Sequence, residues 1–203
     1  MEFADVVNGR KSIRKYKPDP VPISDILDII RSGTRSANAG NKQSWRFFVV
    51  TNRSVIQEMR DAVDLEVKRL RSLAGEEVAS DPLAIFFGEA PVVIAVASLP
   101  YRSVIDEAMT GAGIPEEERI RRRQRPDLQS VGGCVQLMLC AAYEKGYGGC
   151  WMTAPMVARE QIEGILKIEK PMELCAIVPI GKPGRNPPGT TRRPVEQMVT
   201  FIE

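Results

Sequence analysis

Residues 131–155 read VGGCVQLMLCAAYEKGYGGCWMTAP, an apolar run that leads directly into a glycine-rich segment. Residues 131–145 are apolar on nearly every side, and a helix without a polar face is a buried one. We therefore predict that this helix lies at the centre of the protein or in a subunit interface. Gly146, Gly148 and Gly149 follow it, and their backbone can approach a flat ligand closely, with N–H groups pointing at that ligand.

Helical and extended patterns surround this run. Amphipathic spacing predicts helices over residues 25–32 (capped by Ser24), 54–73 and 158–166. Aromatic and β-branched residues predict strands over 46–51 and 173–180, and a strand buried on both faces over 91–97. The order mixes helices and strands without a clean βαβ repeat, which favours the α+β class, and no linker divides the 203 residues.

The composition excludes several classes of function. The chain has no histidine, which rules out Ser-His-Asp and Cys-His catalysis and any metal or haem site that needs a histidine ligand. Its four cysteines form no C-x-x-C motif, so we expect them to pack in the core and predict no metal site. A net charge of +2 gives no argument for nucleic acid or an anionic membrane.

Neither the first residues nor the apolar runs show a pattern typical of secretion or membrane insertion. The first residues lack the basic-then-apolar pattern of a signal peptide, and no apolar run approaches the length that spans a bilayer. We therefore expect a cytoplasmic protein without a membrane partner.

The basic segment 10–15 is a candidate anion site. In an extended chain Arg10, Ser12 and Arg14 lie on one face while Ile13 points the other way. Two guanidinium groups and a hydroxyl on that face suit a phosphate-bearing ligand. The alternative is a solvent-exposed basic edge.

Two further segments carry polar side chains. Residues 36–43, SANAGNKQ, offer amides and hydroxyls ahead of a strand, and residues 190–194 supply a second pair of arginines. The charged run 116–125 allows two interpretations. It is either a solvated helix face with Glu–Arg pairs, or a mobile cover whose arginines reach an anionic substrate or a nicotinamide phosphate.

Together these segments resemble the FMN-dependent nitroreductase family. The shared motifs are R-x-S-x-R at 10–14, N-x-Q-x-W-R-F at 41–47, G-x-G-x-C-W-M at 146–152 and R-R-P at 192–194, in the family's order. The resemblance covers residues 5–51, 130–155 and 172–194. It implies a single domain over 1–203 with a three-layer α+β fold: a central, mostly antiparallel sheet flanked by helices, in an intertwined homodimer. Residues from about 101 to 128 would form a variable cover over the active site.

The resemblance also implies an FMN site shared by two subunits. Arg10, Lys11, Ser12 and Arg14 would hold the phosphate and ribityl chain, with Arg14 towards the pyrimidine side of the flavin. Backbone N–H groups near Thr153 would meet flavin N5. The polar loop of residues 36–43 would come from the partner subunit. Asn38 and Ser44 stand where the family usually has serine and proline. The other implied cofactor-binding residues are Ala37, Asn38, Asn41, Gln43, Met152, Ala154, Arg192 and Arg193.

The implied activity is that of an NAD(P)H-dependent oxidoreductase. FMN would accept a hydride from NAD(P)H and pass it to a small acceptor such as a nitroaromatic, quinone or enone, in a ping-pong cycle. No side chain is an obvious general acid, so we name no catalytic residue. Two alternatives stay open. One is a flavin-binding carrier or sensor without NAD(P)H turnover, and the other is a specialised member that removes halogen or breaks down flavin.

Overall fold

The computed structural model describes residues 1–202 as one sheet with helices on both of its faces. The helices are α1 (Phe3–Gly9), α2 (Ile23–Gly33), α3 (Arg53–Leu73), α4 (Pro82–Ile85), α5 (Val104–Gly111), α6 (Glu116–Arg123), α7 (Pro126–Glu144) and α8 (Arg159–Leu166). The strands are β1 (Trp45–Val50), β2 (Val92–Ser98), β3 (Gly148–Gly149) and β4 (Glu173–Gly181). Short 3-10 helices cover Ala39–Asn41, Phe86–Glu89, Ala154–Ala158 and Val195–Gln197. Within this part of the chain, no helix is both long and apolar enough to cross a membrane.

The sheet has the order β1-β2-β4-β3, and every neighbouring pair is antiparallel. All residues of β2 are buried, as its unbroken apolar sequence predicts. Its side chains alternate between two cores, one shared with α2 and α7 and the other with α3 and α8. The predicted three-layer α+β class is therefore confirmed.

The chain between α1 and α2 lengthens this sheet by one short extended segment. Ile13 N–H donates to the Gly149 carbonyl at 3.0 Å, and Ser12 forms a parallel bridge with Gly149. A Cβ on Gly148 would lie 2.3 Å from Cγ1 of Ile13, so only glycine lets the segment come this close. The basic residues are thus fixed against the glycine-rich strand.

Three details of the helices differ from the sequence prediction. The helix α2 begins at Ile23 after Pro22, so Ser24 lies in its first turn and caps nothing. The helix α7 begins at Pro126, well before residue 131, because a proline at the first helical position needs no N–H partner. Within one chain α7 is not buried on every side, and its burial in a subunit interface stays a prediction. Gln136 is exposed and Leu137 half-buried, which leaves an outer face on α7.

The helices α5 and α6 stand apart from both cores, and neither contains a buried residue. The predicted Glu–Arg pairs are present, because Glu118 accepts from Arg121 at 2.7 Å and from Arg122 at 2.6 Å. These bonds lower the pKa of Glu118 to about 2. Arg123 instead reaches Asp106 of α5 at 2.9 Å and ties the two helices together.

Candidate functional site

The segment 10–14 presents its polar side chains on one face, as the alternation predicts. Arg10, Ser12 and Arg14 all act on the buried thiol of Cys150. Burial raises the pKa of this thiol, while the Ser12 hydrogen bond and the charges of Arg14 and Arg10 partly offset that rise. Ile13 points the opposite way and is only 3% exposed. The two guanidinium groups and the hydroxyl therefore belong to the side of the segment that faces Cys150, opposite the buried Ile13.

Nothing in residues 1–202 neutralises these two arginines, because neither Arg10 nor Arg14 forms an ion pair there. Arg14 instead places its guanidinium carbon 6.0 Å from the ring centroid of Phe86. Lys11 belongs to the other face, where its Nζ donates to the Pro187 carbonyl at 3.1 Å. In the structure Lys11 therefore lies apart from Arg10, Ser12 and Arg14, with which it was predicted to bind phosphate.

The segment after β3 offers free backbone donors. Thr153 and Ala154 are exposed, and among the described residues their N–H groups have no acceptor. Met152 differs from them, because its N–H and carbonyl are both bonded to Ile177, at 3.0 and 3.1 Å, and its side chain is 4% exposed. Met152 fixes its neighbours in place but has no free polar group of its own.

The loop 36–43 has an unusual backbone. Asn41 and Gln43 take φ angles of 50° and 47°, a left-handed conformation that is uncommon for residues other than glycine. Asn38 closes the loop, since its Oδ1 accepts from the Gln43 N–H at 3.0 Å. The Ala39 N–H donates to Ser130 Oγ at 3.0 Å. Such strained loops cluster at functional sites, and the side chains of Asn41 and Gln43 are left exposed.

Along α7 the basic segment and the loop lie far apart. Gly9 packs against the Tyr143 hydroxyl, whereas Ser36 and Ala37 pack against Gly133. Ten residues of helix separate Tyr143 from Gly133, which is about 15 Å at the α-helical rise. One chain therefore does not bring its own loop onto its own basic segment.

The C-terminal arginines are not brought to the site either. Arg192 and Arg193 are exposed, in a tail whose residues 189–202 are all exposed. Arg192 donates only within that tail, to Thr190 Oγ1 at 2.7 Å and to the Thr191 carbonyl at 3.3 Å.

Sequence reasoning missed two features of this region. The hydroxyl of Ser36 is buried and has no hydrogen-bond partner among residues 1–202. The ring of Trp151 lies across Gly132, where a Cβ would come within 3.0 Å of the ring. The sequence signal for this contact is weak: a glycine within the helix and a tryptophan 19 residues later.

A cavity of about 430 Å³ lies beneath α5 and α6. Its wall contains Arg125, which donates to Asp127 at 2.7 Å and to Glu173 at 3.3 Å. Asp127 is 4% exposed, so this pairing keeps a buried carboxylate compensated. Tyr101 also lines the cavity, and its hydroxyl lies beside Gly40 of the loop, so the cavity and the loop are neighbours.

Comparison with known proteins identifies the family. The profile of the Nitroreductase family matches residues 7–182, and the chain belongs to this family. YfhC of Bacillus subtilis (strain 168), an NAD(P)H nitroreductase by name, is 21% identical over 196 residues, covering 97% of this chain and 92% of that protein.

Two solved structures have the same fold. A BluB-like flavoprotein from Clostridium difficile 630 superposes with a TM-score of 0.88 at 26% identity, covering 100% of both chains. Iodotyrosine deiodinase bound to FMN and 3-iodo-L-tyrosine superposes with a TM-score of 0.72 at 21% identity, covering 95% of this chain and 96% of that one.

Proposed function

We propose that this protein is an FMN-dependent oxidoreductase that uses NAD(P)H to reduce a small acceptor, such as a nitroaromatic, quinone or enone, in the cytoplasm. The observation that carries the proposal is the placement of Arg10, Ser12 and Arg14 on one face of an extended segment that is bonded to Gly149 of β3, with Ile13 buried on the other face. Membership of the nitroreductase family and the similarity to a flavoprotein support it.

The residues present fit FMN. A phosphate dianion needs cations and hydroxyl donors, and this face offers two arginines without ion pairs in residues 1–202 together with Ser12. An isoalloxazine needs donors near N5, and the N–H groups of Thr153 and Ala154 are free within the same part of the chain. When bound, FMN supplies the group that accepts and returns a hydride.

We assign the chain's own residues as follows. Arg10 and Ser12 bind the phosphate and ribityl chain, and Arg14 stabilises the negative charge that reduction leaves near N1 and O2 of the flavin. The backbone N–H groups of Thr153 and Ala154 orient N5. No side chain is assigned as a proton donor.

The site is complete only in a homodimer. The loop of one chain lies about 15 Å along α7 from its own basic segment, so we assign Ala37, Asn38, Asn41 and Gln43 to the partner's flavin. The outer face of α7 supplies an interface, and the exposed tail supplies Arg192 and Arg193 once it packs against the dimer. A monodisperse monomer by light scattering that still retains FMN would contradict this assignment.

The first experiment is an absorbance spectrum of the purified protein, followed under anaerobic conditions as NADH and then NADPH is added. Bleaching of a flavin band within seconds supports the reductase and shows which nicotinamide is the donor. A band that persists favours a flavin-binding carrier or sensor. No band, even after FMN is added, refutes the proposal.

A pair of variants tests the assignment of the cations. Arg10→Ala is expected to raise the Kd for FMN about tenfold or more, because a charge-assisted hydrogen bond contributes roughly 1.5–3 kcal/mol. Arg69→Ala is the matched control, since Arg69 is exposed on α3 and pairs with Glu66. An unchanged Kd in Arg10→Ala removes this residue from the site.

Reductive removal of halogen from a phenol is the second candidate. It is favoured by the cavity beneath α5 and α6, which lies next to the loop and offers Tyr101 and Ile120 for contact with an aromatic ring. It is also supported by the fold shared with iodotyrosine deiodinase. Release of iodide from 3-iodotyrosine by the reduced protein, compared with reduction of a nitroaromatic, separates the two.

A further inference from the structure

The odd-numbered face of the segment 10–17 carries its own set of cations. Lys11 and Lys17 line a second cavity of about 430 Å³, together with Arg185 from the loop after β4. This cavity lies on the opposite side of the segment from Arg10, Ser12 and Arg14, because neighbouring residues of an extended chain point in opposite directions. One stretch of backbone therefore separates two groups of positive charge.

No carboxylate lines this cavity within the described residues. The remaining lining residues are Gly9, Ile13, Tyr143, Gly146, Tyr147, Pro183, Gly184 and Asn186. The nearby acids bond to groups other than Lys11, Lys17 and Arg185. Asp25 accepts from Tyr147 at 2.7 Å and from Lys145 at 3.0 Å, and Asp19 lies 3.9 Å from Lys182. The positive charge of the cavity is thus uncompensated in residues 1–202.

The cations are held by ordered backbone. Lys11 Nζ donates to the Pro187 carbonyl at 3.1 Å, and the Lys17 N–H donates to the Lys182 carbonyl at 2.9 Å. The Gly184 N–H donates to the Lys15 carbonyl at 2.9 Å, which ties the loop of Arg185 to the basic segment. Three cations from two crosslinked segments therefore surround one cavity, and a hydrogen bond fixes the ammonium group of Lys11.

We propose that this cavity is a second anion site, which binds the phosphate group of a small phosphate monoester. Lys11, Lys17 and Arg185 bind the phosphate, and the side chain of Asn186 adds a hydrogen-bonding group. The aromatic wall of Tyr143 and Tyr147 packs against the rest of the ligand. The site does not depend on the proposed flavin, since it shares no side chain with the face that holds Arg10, Ser12 and Arg14.

The test is isothermal titration calorimetry in a low-salt buffer without phosphate, on protein saturated with FMN. Three probes are titrated: AMP, inorganic phosphate and adenosine. We expect saturable binding of AMP, weakened by added salt, and no binding of adenosine. AMP binding more tightly than inorganic phosphate identifies a monoester ligand, and equal affinities identify free phosphate. Absence of binding by both overturns the proposal.

Variants locate the site. Lys17→Gln and Arg185→Gln are each expected to raise the Kd for AMP about fivefold or more, since each removes a charge-assisted bond to the phosphate. Lys182→Gln is the matched control, because Lys182 is a lysine of the same loop that faces Asp19 and lies outside the cavity. Unchanged affinity in both cavity variants overturns the assignment.

One more comparison separates this site from the flavin site. In protein saturated with FMN, Arg14→Gln should leave the Kd for AMP unchanged, because Arg14 lies on the opposite face. If Arg14→Gln weakens AMP binding and Lys17→Gln does not, the anion occupies the flavin face and the proposal fails. If the protein binds no FMN at all, the proposed function fails, while AMP binding to the cavity is still expected.

Discussion

Replacement of Gly148 by alanine tests how the basic segment is held against the sheet. The new Cβ would lie 2.3 Å from Cγ1, 2.7 Å from Cβ and 3.0 Å from Cγ2 of Ile13. Ile13 is 3% exposed and β-branched, so it has few ways to move aside. We therefore expect the segment 10–14 to shift away from β3, which displaces the cations that we assign to FMN.

The expected cost is that of an overpacked core, about 1–3 kcal/mol. In a domain of this size, each kcal/mol lowers Tm by roughly 2–4 °C. Thermal unfolding of Gly148→Ala measures the change, and titration with FMN should show weaker binding in the same variant. Gly164→Ala is the control, because nothing lies within 4 Å of a Cβ there and alanine favours a helix interior.

A double-mutant cycle with Ile13→Ala shows whether the clash is the cause. Ile13→Ala removes the two Cγ atoms near the new methyl group but keeps Cβ at 2.7 Å, so it relieves part of the clash. The double variant should therefore be more stable than the sum of the two single effects predicts, by about 0.5 kcal/mol or more. Additive effects would refute the steric explanation. A Gly148→Ala variant as stable as the original protein would refute the close approach itself.

Three other perturbations have defined outcomes. Cys134 and Cys175 should resist alkylation at neutral pH, because burial raises their pKa values to about 12 and about 11; peptide mapping by mass spectrometry checks this, and labelling of either before unfolding contradicts it. The pKa of Glu118 is lowered to about 2 from its ordinary 4.5, so its contribution to α6 should be complete above pH 4.5 and lost as pH falls towards 2. Hydrogen exchange measures the resulting loss of stability in α6, and this pH-dependent loss should be absent in Glu118→Gln. Asn38→Ala should speed amide exchange in residues 38–44, because Gln43 loses the acceptor of its N–H. Unaltered exchange would show that another contact closes the loop.

Much of the architecture was predictable because periodicity reports burial directly. The apolar run 91–97 has no polar position, and β2 is accordingly buried on both faces. The alternation of Arg10, Ile13 and Arg14 likewise survives in the structure. Helix ends were less predictable, because Pro22 and Pro126 open α2 and α7 at residues that the apolar spacing does not mark.

The site was only partly predictable, for a different physical reason. Sequence motifs identify residue types, but the distance between the loop and the basic segment depends on how α7 separates Gly133 from Tyr143. The separate position of Lys11 and the buried hydroxyl of Ser36 depend on packing between distant segments. Neither leaves a local pattern that a single sequence could reveal.

The lack of buried residues in α5 and α6 has a consequence for how such a protein diversifies. The segment between Ser98 and Arg125 leaves and re-enters the fold without contributing a residue to either core, so its length and sequence can change while the sheet stays intact. The opposite holds for β2, where each side chain is locked between two layers. The segment that carries α5 and α6 can therefore diverge in sequence while the sheet is conserved, and it can be exchanged between related proteins by protein engineering.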